Sequence, residues 1–386
     1  MSKMIRRLVL ITEIIAPYRI PVFNALARRP ELDLHVIFLA ETDEALRQWR
    51  VYMDEIHFSY QILPSWRWRA GKHNLLMNRG LLPALNKLKP QVIICGGYSY
   101  VASWEALLWA RRYRVEFVLW SESNGYDTRK QRPWVEALKT YFLRRCDRFV
   151  VPGKASFEYL RLLGSPSARI LTAPNAVHNS WFRAAAENAT LHAHELRQKL
   201  RLPSRFILFV GRLVPEKGVF DLLAAYAKLD SGVRSEVGLV FAGDGISRAE
   251  LTKRAAQITP GVVCFPGFAQ REDLAALYTL ADLLVLPTHS DPWGLVVNEA
   301  MACGLPIIVS SVAGCSADLV ENGWNGYVVP LQDSEKLSAA IDSLVRHPEL
   351  RQQMSARSLE RIRIFSPEAC AEGLAAAATF AGKEAR

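Results

Sequence analysis

Cysteine is scarce and unpatterned in this chain. Six of the 386 residues are cysteines, and no two of them form a Cys-x-x-Cys pair. Such a scatter argues against a zinc site and against a disulfide framework, and it is typical of a protein kept in a reducing compartment. The six are Cys95, Cys146, Cys264, Cys303, Cys315 and Cys370.

Long apolar runs are missing as well. The longest uncharged span, residues 300–317, is interrupted by glycine, proline and serine, so it predicts a helix, a turn and a strand rather than a transmembrane helix. The apolar run after Arg7 superficially resembles a signal peptide, but Glu13 and Arg19 break it and no small-residue cleavage site follows. We therefore expect a cytoplasmic protein whose first apolar run is a buried strand.

Two further motifs are absent. No Gly-x-Gly-x-x-Gly follows the first predicted strand, where residues 15–19 read Ile-Ala-Pro-Tyr-Arg, so a dinucleotide oxidoreductase is disfavoured. The chain also lacks an Asp-x-Asp pair of the kind that holds a divalent cation against a diphosphate. We expect chemistry without a metal, and the sequence carries no motif typical of nucleic-acid binding.

The length and composition predict two domains. Half of the residues are hydrophobic, and 386 residues exceed what one core normally serves. Short apolar runs alternate with helical patterns, which predicts an α/β fold with doubly wound parallel sheets that bind ligands at the carboxyl ends of their strands. The predicted strands are residues 8–15, 34–39, 92–95, 115–120 and 149–151 in the first half, and 206–210, 237–242, 262–265, 283–286 and 307–309 in the second.

The boundary between these domains is predicted near residues 174–200. There the first alternation ends at Ala-Pro-Asn, and a polar run over residues 184–198 precedes the second alternation. We expect an N-terminal domain over residues 1–178, a C-terminal domain over 179–364, and a terminal helix within 365–386.

The segment 288–304 contains an acid pair, with Asp291 eight residues before Glu299. The apolar run before it ends at a proline and predicts a buried strand, and a helix is predicted from Gly294. Asp291 would then lie in the strand-to-helix loop, and the amides of Gly294 and Leu295 would face the same cleft as Glu299. A helix start favours an anion and carboxylates accept hydrogen bonds from sugar hydroxyls, although acid pairs at this spacing are also frequent by chance.

A second constellation is basic. Gly211 follows another buried-strand pattern, and Arg212 and Lys217 lie on a glycine-bounded turn before a helical pattern. A guanidinium and an ammonium at such a turn can neutralise a diphosphate that leaves during group transfer. Basic residues in a loop of this kind are also often merely solvated.

Together these segments resemble the retaining, nucleotide-sugar-dependent glycosyltransferases of the GT-B fold, in particular family GT4. The loop 211–218 is similar to that family's diphosphate loop, and the segment from Asp291 to Pro306 is similar to its two-acid motif. The Pro-Asn-Ala-Val at 174–177 resembles its interdomain segment, and the Ala-Gly-Asp-Gly at 242–245 a strand-end turn. The likeness is dense in the C-terminal half and thin in the N-terminal half.

The resemblance implies two Rossmann-like domains facing across a cleft, with a terminal helix that crosses back to the first domain. It implies that Arg212 and Lys217 hold the donor phosphates, that Glu299 accepts hydrogen bonds from the nucleotide ribose, and that Asp291 contacts hydroxyls of the transferred sugar. Base recognition would use backbone groups near Gly267. The donor would be a UDP- or GDP-sugar, which is a co-substrate rather than a bound cofactor.

The chain departs from the family's pattern at two places. Asp291 stands where the family usually has glutamate, which shortens the carboxylate arm by one methylene. Relatives often place a histidine after a central strand of the first domain, whereas here Ser121 and Glu122 follow that strand. Either could take its place, and a helix cap or an ordinary loop role is equally consistent. Arg19, on the loop after the first strand, is expected to face the cleft and to steer an anionic acceptor.

Positive charge is concentrated in the first half. Residues 1–175 contain 27 Lys and Arg against 15 Asp and Glu, a net charge of +12, while the remainder contains 21 against 23. Aromatic and basic residues interleave at 66–72 and 141–145, a pattern suited to an anionic membrane surface or a pyrophosphate-linked lipid. We expect a lipid-linked glycan acceptor at the inner face of a membrane, as in the assembly of cell-surface polysaccharide. A basic face is also often ordinary solvated surface.

Two functions from different classes remain open on the sequence. The first is a retaining hexosyltransferase that moves a sugar from a nucleotide diphosphate to a hydroxyl acceptor. The second is a non-catalytic, nucleotide-sugar-binding or membrane-associated partner subunit of the same fold. Sugar-dependent release of a nucleoside diphosphate would separate them. The residues do not distinguish UDP from GDP.

Overall fold

The computed structural model describes residues 5–43, 48–70, 73–126 and 133–380. The chain divides into two compact units. Unit 1 consists of Met1–Gly125, Arg129–Ala176 and Pro367–Arg386, and unit 2 consists mainly of Val177–Ser366. None of the described helices is long and apolar enough to cross a membrane.

Unit 1 is built on a parallel sheet of seven strands in the order β3-β2-β1-β6-β7-β8-β9. The other two strands, β4 and β5, form an antiparallel hairpin. The strands are β1 Arg6–Thr12, β2 Leu32–Phe38, β3 Ser59–Ile62, β4 Ser65–Ala70, β5 His73–Asn78, β6 Val92–Gly96, β7 Glu116–Trp120, β8 Arg148–Val151 and β9 Ile170–Thr172.

The first five helices also belong to unit 1. They are α1 Ile20–Ala27, α2 Leu81–Leu88, α3 Val101–Tyr113, α4 Pro133–Leu143 and α5 Lys154–Leu162. The side chains of α2 to α5 that face inward pack with one face of the sheet in a common core. Because both faces of such a sheet are covered, its central strands are continuous apolar runs rather than alternating ones.

Unit 2 contains a six-stranded parallel sheet in the order β12-β11-β10-β13-β14-β15. Strands β10, β11, β13 and β14 are buried at every position, as expected for the centre of such a sheet. The strands are β10 Phe206–Val210, β11 Gly238–Ala242, β12 Val263–Gly267, β13 Leu283–Leu286, β14 Ile307–Ser310 and β15 Gly326–Val329.

Ten helices of unit 2 connect and cover these strands. They are α6 Asn179–Leu191, α7 Ala193–Leu200, α8 Val219–Lys228, α9 Ser231–Glu236, α10 Arg248–Ala255, α11 Arg271–Leu280, α12 Leu295–Ala302, α13 Ser316–Leu319, α14 Ser334–Arg346 and α15 Pro348–Ile362.

The last helix, α16 Pro367–Thr379, belongs to unit 1 and packs with α1 on the sheet face opposite α2 to α5. The Arg148 guanidinium donates to the carbonyl oxygens of Ala377 at 2.9 Å and Phe380 at 2.8 Å, so a strand residue caps the helix end. A Cβ at Gly373 would lie 2.3 Å from the Thr172 carbonyl oxygen. The close approach of α16 to β9 therefore requires a glycine.

The two parallel sheets expected from the sequence are confirmed, and the predicted strands coincide with observed ones to within a few residues. The first strand ends earlier than expected, at Thr12. The polar run 184–198 is helical, because it supplies the solvent-facing sides of α6 and α7. Strands β3, β9 and β15 and the β4–β5 hairpin were not predicted, since each is short or lacks a continuous apolar run.

Candidate functional site: a basic and acidic cluster at the carboxyl edge of unit 2

Two adjacent strands bring the basic loop and the acid-bearing loop together. Strand β10 pairs with β13, so the loops that follow them leave the same edge of the sheet. Gly218 has φ +68°, and a Cβ there would lie 1.9 Å from the Pro287 carbonyl oxygen. The His289 amide and the Thr288 hydroxyl both donate to the Glu216 carbonyl oxygen, at 2.9 and 3.1 Å. The basic loop is therefore fastened to the other through its backbone.

Lys217 and Asp291 are in direct contact through an ion pair. Both side chains are largely buried, and the other carboxylate oxygen of Asp291 accepts a hydrogen bond from the Trp293 amide at 3.2 Å. The Lys217 ammonium also lies 3.5 Å from the Ser290 carbonyl oxygen. The structure thus places one fixed positive and one fixed negative group side by side at the strand ends.

Arg212 precedes Lys217 in the basic loop and adds an exposed positive charge. The structure shows no ion pair for its guanidinium among the described residues. Its backbone is held by the neighbouring loop, because Gly211 donates to the Ala242 carbonyl oxygen at 3.0 Å and Leu213 to that of Asp244 at 2.8 Å. A guanidinium of this kind, on a fixed backbone but with a free head group, can bind an anion in a bidentate way.

Helix α12 starts at this edge without a side-chain cap. Its N-cap residue, Gly294, has φ +98°, and a Cβ there would lie 2.8 Å from Leu286 Cδ2. The turn before it is fixed by the buried Trp293 indole, which donates to Asn298 Oδ1 at 2.8 Å. The first helical residue is Leu295, so the positive end of the helix dipole lies just beyond Asp291. This is an environment that favours a phosphate.

Glu299 lies one turn into α12. The buried Tyr278 hydroxyl on α11 donates to its Oε2 at 2.6 Å. Among the described residues, Oε1 has no protein partner. Burial raises the pKa of the Glu299 carboxyl to about 7, more than the Tyr278 hydrogen bond lowers it. Burial likewise raises the pKa of Tyr278, which therefore stays a neutral donor.

Gly267 ends the edge strand β12, two strands away from β10. It has φ +89°, and its carbonyl oxygen accepts from the Gly243 amide at 2.8 Å. A Cβ at Gly243 would lie 1.9 Å from the Gly211 carbonyl oxygen, so the three strand ends are linked through glycine backbone. Gly267 therefore lies on the same edge of the sheet as the basic loop.

The predicted residues of the N-terminal half come together in unit 1. Arg19 follows β1, and its guanidinium forms an ion pair with Glu122 and stacks 3.7 Å above the centroid of the Trp120 ring. Ser121 lies between Trp120 and Glu122 and is buried. Strands β1 and β7 both flank β6, so these groups share the carboxyl edge of the unit 1 sheet.

Two residues that contact the site, His289 and Tyr278, were not predicted from the sequence. His289 contacts Asp221 through Nε2 at 2.5 Å and so ties the acid-bearing loop to α8. His289 could have been predicted as a site residue, because it lies within the 288–304 segment. Tyr278 carried no such signal, because a tyrosine in an amphipathic helix is usually an ordinary core residue.

Comparisons with known proteins agree with this architecture. Residues 193–361 match the family model described as Glycosyl transferases group 1, and residues 23–181 match that described as Glycosyltransferase Family 4. The chain belongs to the family 4 glycosyltransferases.

The curated relatives are similar to this member of the family over part of their length. An alpha-D-kanosaminyltransferase of Streptomyces kanamyceticus is 34% identical over 163 residues, covering 42% of each chain. A glycogen synthase of Mycobacterium tuberculosis is 30% identical over 286 residues, covering 71% of this chain and 64% of that one. The chain thus spans about half of the length of the first curated relatives it matches.

A solved structure shows the same fold at low identity. The Anabaena protein HepE, in complex with UDP and glucose, has a TM-score of 0.73 at 18% identity, covering 96% of this chain and 98% of that one. Two parallel-sheet α/β units with this likeness are the GT-B fold.

Proposed function

We propose that this glycosyltransferase moves a hexose from a nucleotide-diphosphate sugar to a hydroxyl acceptor, with retention of anomeric configuration and without a metal ion. The observation that carries the proposal is the contact between Lys217 and Asp291 at the uncapped start of α12. One group suits a phosphate and the other a sugar hydroxyl, and both are held where parallel sheets bind ligands.

Donor binding exchanges the partners of this ion pair. A diphosphate oxygen takes the Lys217 ammonium, and a hydroxyl of the sugar donates to the Asp291 carboxylate. Arg212 and the amides at Gly294 and Leu295 add positive potential around the phosphates. As the bond from the anomeric carbon to the phosphate oxygen breaks, these groups stabilise the charge that collects on the leaving nucleoside diphosphate.

Glu299 and Gly267 serve the nucleoside. The free Oε1 of Glu299 accepts from a ribose hydroxyl while Tyr278 holds Oε2. Backbone groups at Gly267 contact the base, at the end of β12. Support for a nucleotide-sugar donor comes from the HepE structures, one of which is named as a complex with UDP-glucose.

Metal independence is proposed because the positively charged groups around the phosphates can replace a divalent ion. The positive charge that a divalent ion would bring to a diphosphate is available from Lys217, Arg212 and the helix start. We therefore expect UDP- or GDP-sugars to bind equally well in the presence of a chelator.

A donor panel tests the function. Purified protein is incubated with UDP- and GDP-hexoses, and the nucleoside diphosphate that is released is quantified with and without glycan acceptors. Lys217→Ala should abolish most of the release, while Lys228→Ala, which removes an exposed lysine of α8, should not. Donor binding without release from any sugar would favour the non-catalytic alternative.

The acceptor is proposed to be a lipid-linked glycan at the inner face of an anionic membrane, as in the assembly of cell-surface polysaccharide. The net charge of +12 in residues 1–175 supports this, together with the β4–β5 hairpin. Trp66 is 61% exposed, and it faces Met77 across the hairpin while Trp68 faces Leu75. These four exposed side chains, the hairpin face, provide an apolar surface that can enter a headgroup layer.

One basic residue of the segment 66–72, Arg67, does not lie on the exposed hairpin face. Arg67 belongs to the basic and aromatic segment 66–72 that was expected to suit an anionic membrane, but its side chain is only 15% exposed and is paired with Asp43 and Glu13. The alternation of strand β4 explains this, since Arg67 points to the face opposite the tryptophans. The side chains of Arg69 and Lys72 lie outside the described residues.

Vesicle sedimentation tests the membrane contact. Binding should rise with the fraction of anionic lipid, fall with salt, and weaken when Trp66 and Trp68 are both replaced by serine. A control replaces Leu162 and Leu191, two exposed leucines on helices α5 and α6 outside the hairpin, by serine. Equal recovery with neutral and anionic vesicles, together with efficient transfer to a water-soluble acceptor, would contradict the membrane proposal.

A further inference from the structure

The carboxyl edge of the unit 1 sheet holds a polar site whose charge is already balanced. Arg19 projects from the loop after β1, and Glu122 from the loop after β7. Their ion pair leaves the Arg19 side chain only 13% exposed. Burial is the largest single influence on the pKa of Arg19 and lowers it, but Glu122, Tyr18 and Cys370 together raise it by more, so the net pKa is raised. The guanidinium therefore stays charged, and Glu122 compensates that charge.

The indole of Trp120 closes one face of the same guanidinium. The Arg19 guanidinium carbon lies 3.7 Å from the ring centroid, which is a close cation–π contact. A planar guanidinium binds a phosphate or carboxylate through its edge, in a bidentate fork. Because Glu122 Oε1 already takes the Arg19 Nη2 group and Trp120 covers one face, an incoming anion would compete with the carboxylate for the guanidinium.

Two buried polar atoms at this edge lack partners. Ser121 is 2% exposed, and neither its hydroxyl nor the Trp120 indole Nε1 has a hydrogen-bond partner among the described residues. A buried polar atom left unpaired costs about 1–3 kcal/mol. Such atoms are uncommon in native proteins, and a ligand or a bound water is the usual partner that completes them. A hydroxyl group can donate to and accept from the Ser121 hydroxyl, whereas a phosphate dianion can only accept.

From these observations we propose that unit 1 takes an acceptor whose reacting end is an uncharged, hydroxyl-bearing sugar or polyol, and that Glu122 excludes phosphorylated or carboxylated ends by neutralising Arg19. The proposal rests on the glycosyltransferase function and specifies its acceptor. It reverses the expectation that Arg19 steers an anionic acceptor, because that role needs a guanidinium whose charge is not already paired with a carboxylate. Charge on a distant lipid carrier is unaffected, since only the reacting end enters the site.

Glucose and glucose 6-phosphate serve as a matched pair of probes, differing by one phosphate. Their dissociation constants are measured by calorimetry on the full chain in the presence of saturating nucleoside diphosphate. Wild type should bind glucose 6-phosphate no more tightly than glucose. Glu122→Gln, which frees the guanidinium and keeps the side-chain size, should bind glucose 6-phosphate at least about tenfold more tightly than wild type does, the usual effect of one nearby unpaired charge.

Two further variants make this test specific. Glu105→Gln removes the same charge from α3, away from the strand ends, and should leave both constants unchanged. The double variant Arg19→Gln with Glu122→Gln removes the pair and should abolish the gain. A wild-type preference of tenfold or more for glucose 6-phosphate, or no gain in Glu122→Gln, would overturn the proposal.

The readout separates this inference from the function on which it depends. Release of nucleoside diphosphate from a sugar donor tests glycosyl transfer, and it does not require the glucose pair. A protein that releases nucleoside diphosphate yet binds glucose 6-phosphate preferentially keeps the function and loses the neutral-acceptor inference.

Discussion

The ionisation of Glu299 offers a sensitive test of the proposed nucleoside site. Its carboxyl has a pKa of about 7 in the folded protein, against an ordinary value of 4.5, because burial disfavours the charge. One pKa unit corresponds to about 1.4 kcal/mol, so the full difference is at most about 3 kcal/mol. We predict that Glu299→Gln, whose amide oxygen still accepts from Tyr278, removes this dependence on pH.

The direction in which stability changes with pH follows from the different protonation of Glu299 in the folded and unfolded states. The folded state keeps the Glu299 proton between pH 4.5 and about 7, where the unfolded state has lost it. The contribution to stability is therefore complete below pH 4.5 and is lost as the pH rises through about 7. For a domain of this size, 1 kcal/mol shifts the melting temperature by about 2–4 °C. Wild type should lose up to about 6–12 °C relative to Glu299→Gln between pH 4 and pH 8.

Ligand binding should reverse the effect. A ribose hydroxyl that donates to Oε1 stabilises the ionised carboxylate, so the affinity for UDP or GDP should rise with pH in wild type and stay flat in Glu299→Gln. Calorimetry and thermal melting of both proteins at several pH values provide the measurements. A melting difference that does not change with pH would refute the assignment of a buried, protonated Glu299.

Four other predictions concern the same edge of unit 2. Lys217→Ala should lose about 3 kcal/mol of transition-state stabilisation, roughly a hundredfold in kcat, and near-wild-type turnover would reject its role at the phosphates. Asp291→Glu should retain substantial activity in the same assay, since a carboxylate can still reach Lys217 and the sugar, whereas Asp291→Asn should lose the ion pair and most of the rate. Gly218→Ala should lower the melting temperature and abolish donor binding. Gly323→Ala, which is also at positive φ but has nothing within 4 Å of the new Cβ, should lower the melting temperature much less. Equal losses of melting temperature in the two variants would show that backbone strain, and not the Pro287 contact, causes the effect. Chelator should leave turnover unchanged, and rescue of a lost activity by magnesium or manganese would contradict metal independence.

The sequence was most informative where a local pattern determines the structure. Strands such as β10 and β13 are continuous apolar runs, because a parallel sheet covered on both faces needs no polar alternation. The loops after them could be assigned because glycine is required where backbone approaches backbone, as at Gly218. The placement of Lys217 beside Asp291 then follows from the strand order.

Contacts made between distant segments could not be predicted in this way. Nothing local marks Tyr278 as the partner of Glu299, or Asp43 as the partner of Arg67. The same holds for Arg19, whose role depends on Glu122, a residue 103 positions away in the chain. A charged residue in a loop has the same sequence signature whether it is free or paired, and only the fold decides between these states.

Glycosyl transfer at the Lys217–Asp291 pair is tested most directly by one measurement. Proton NMR can follow the anomeric signal of each UDP- and GDP-hexose in a panel, together with the released nucleoside diphosphate, for wild type and Lys217→Ala in the presence of chelator. We predict that at least one donor is consumed by wild type, that the new glycosidic bond keeps the donor's anomeric configuration, and that Lys217→Ala is roughly a hundredfold slower. An inverted product, a strict requirement for metal, or full activity in Lys217→Ala would contradict the account.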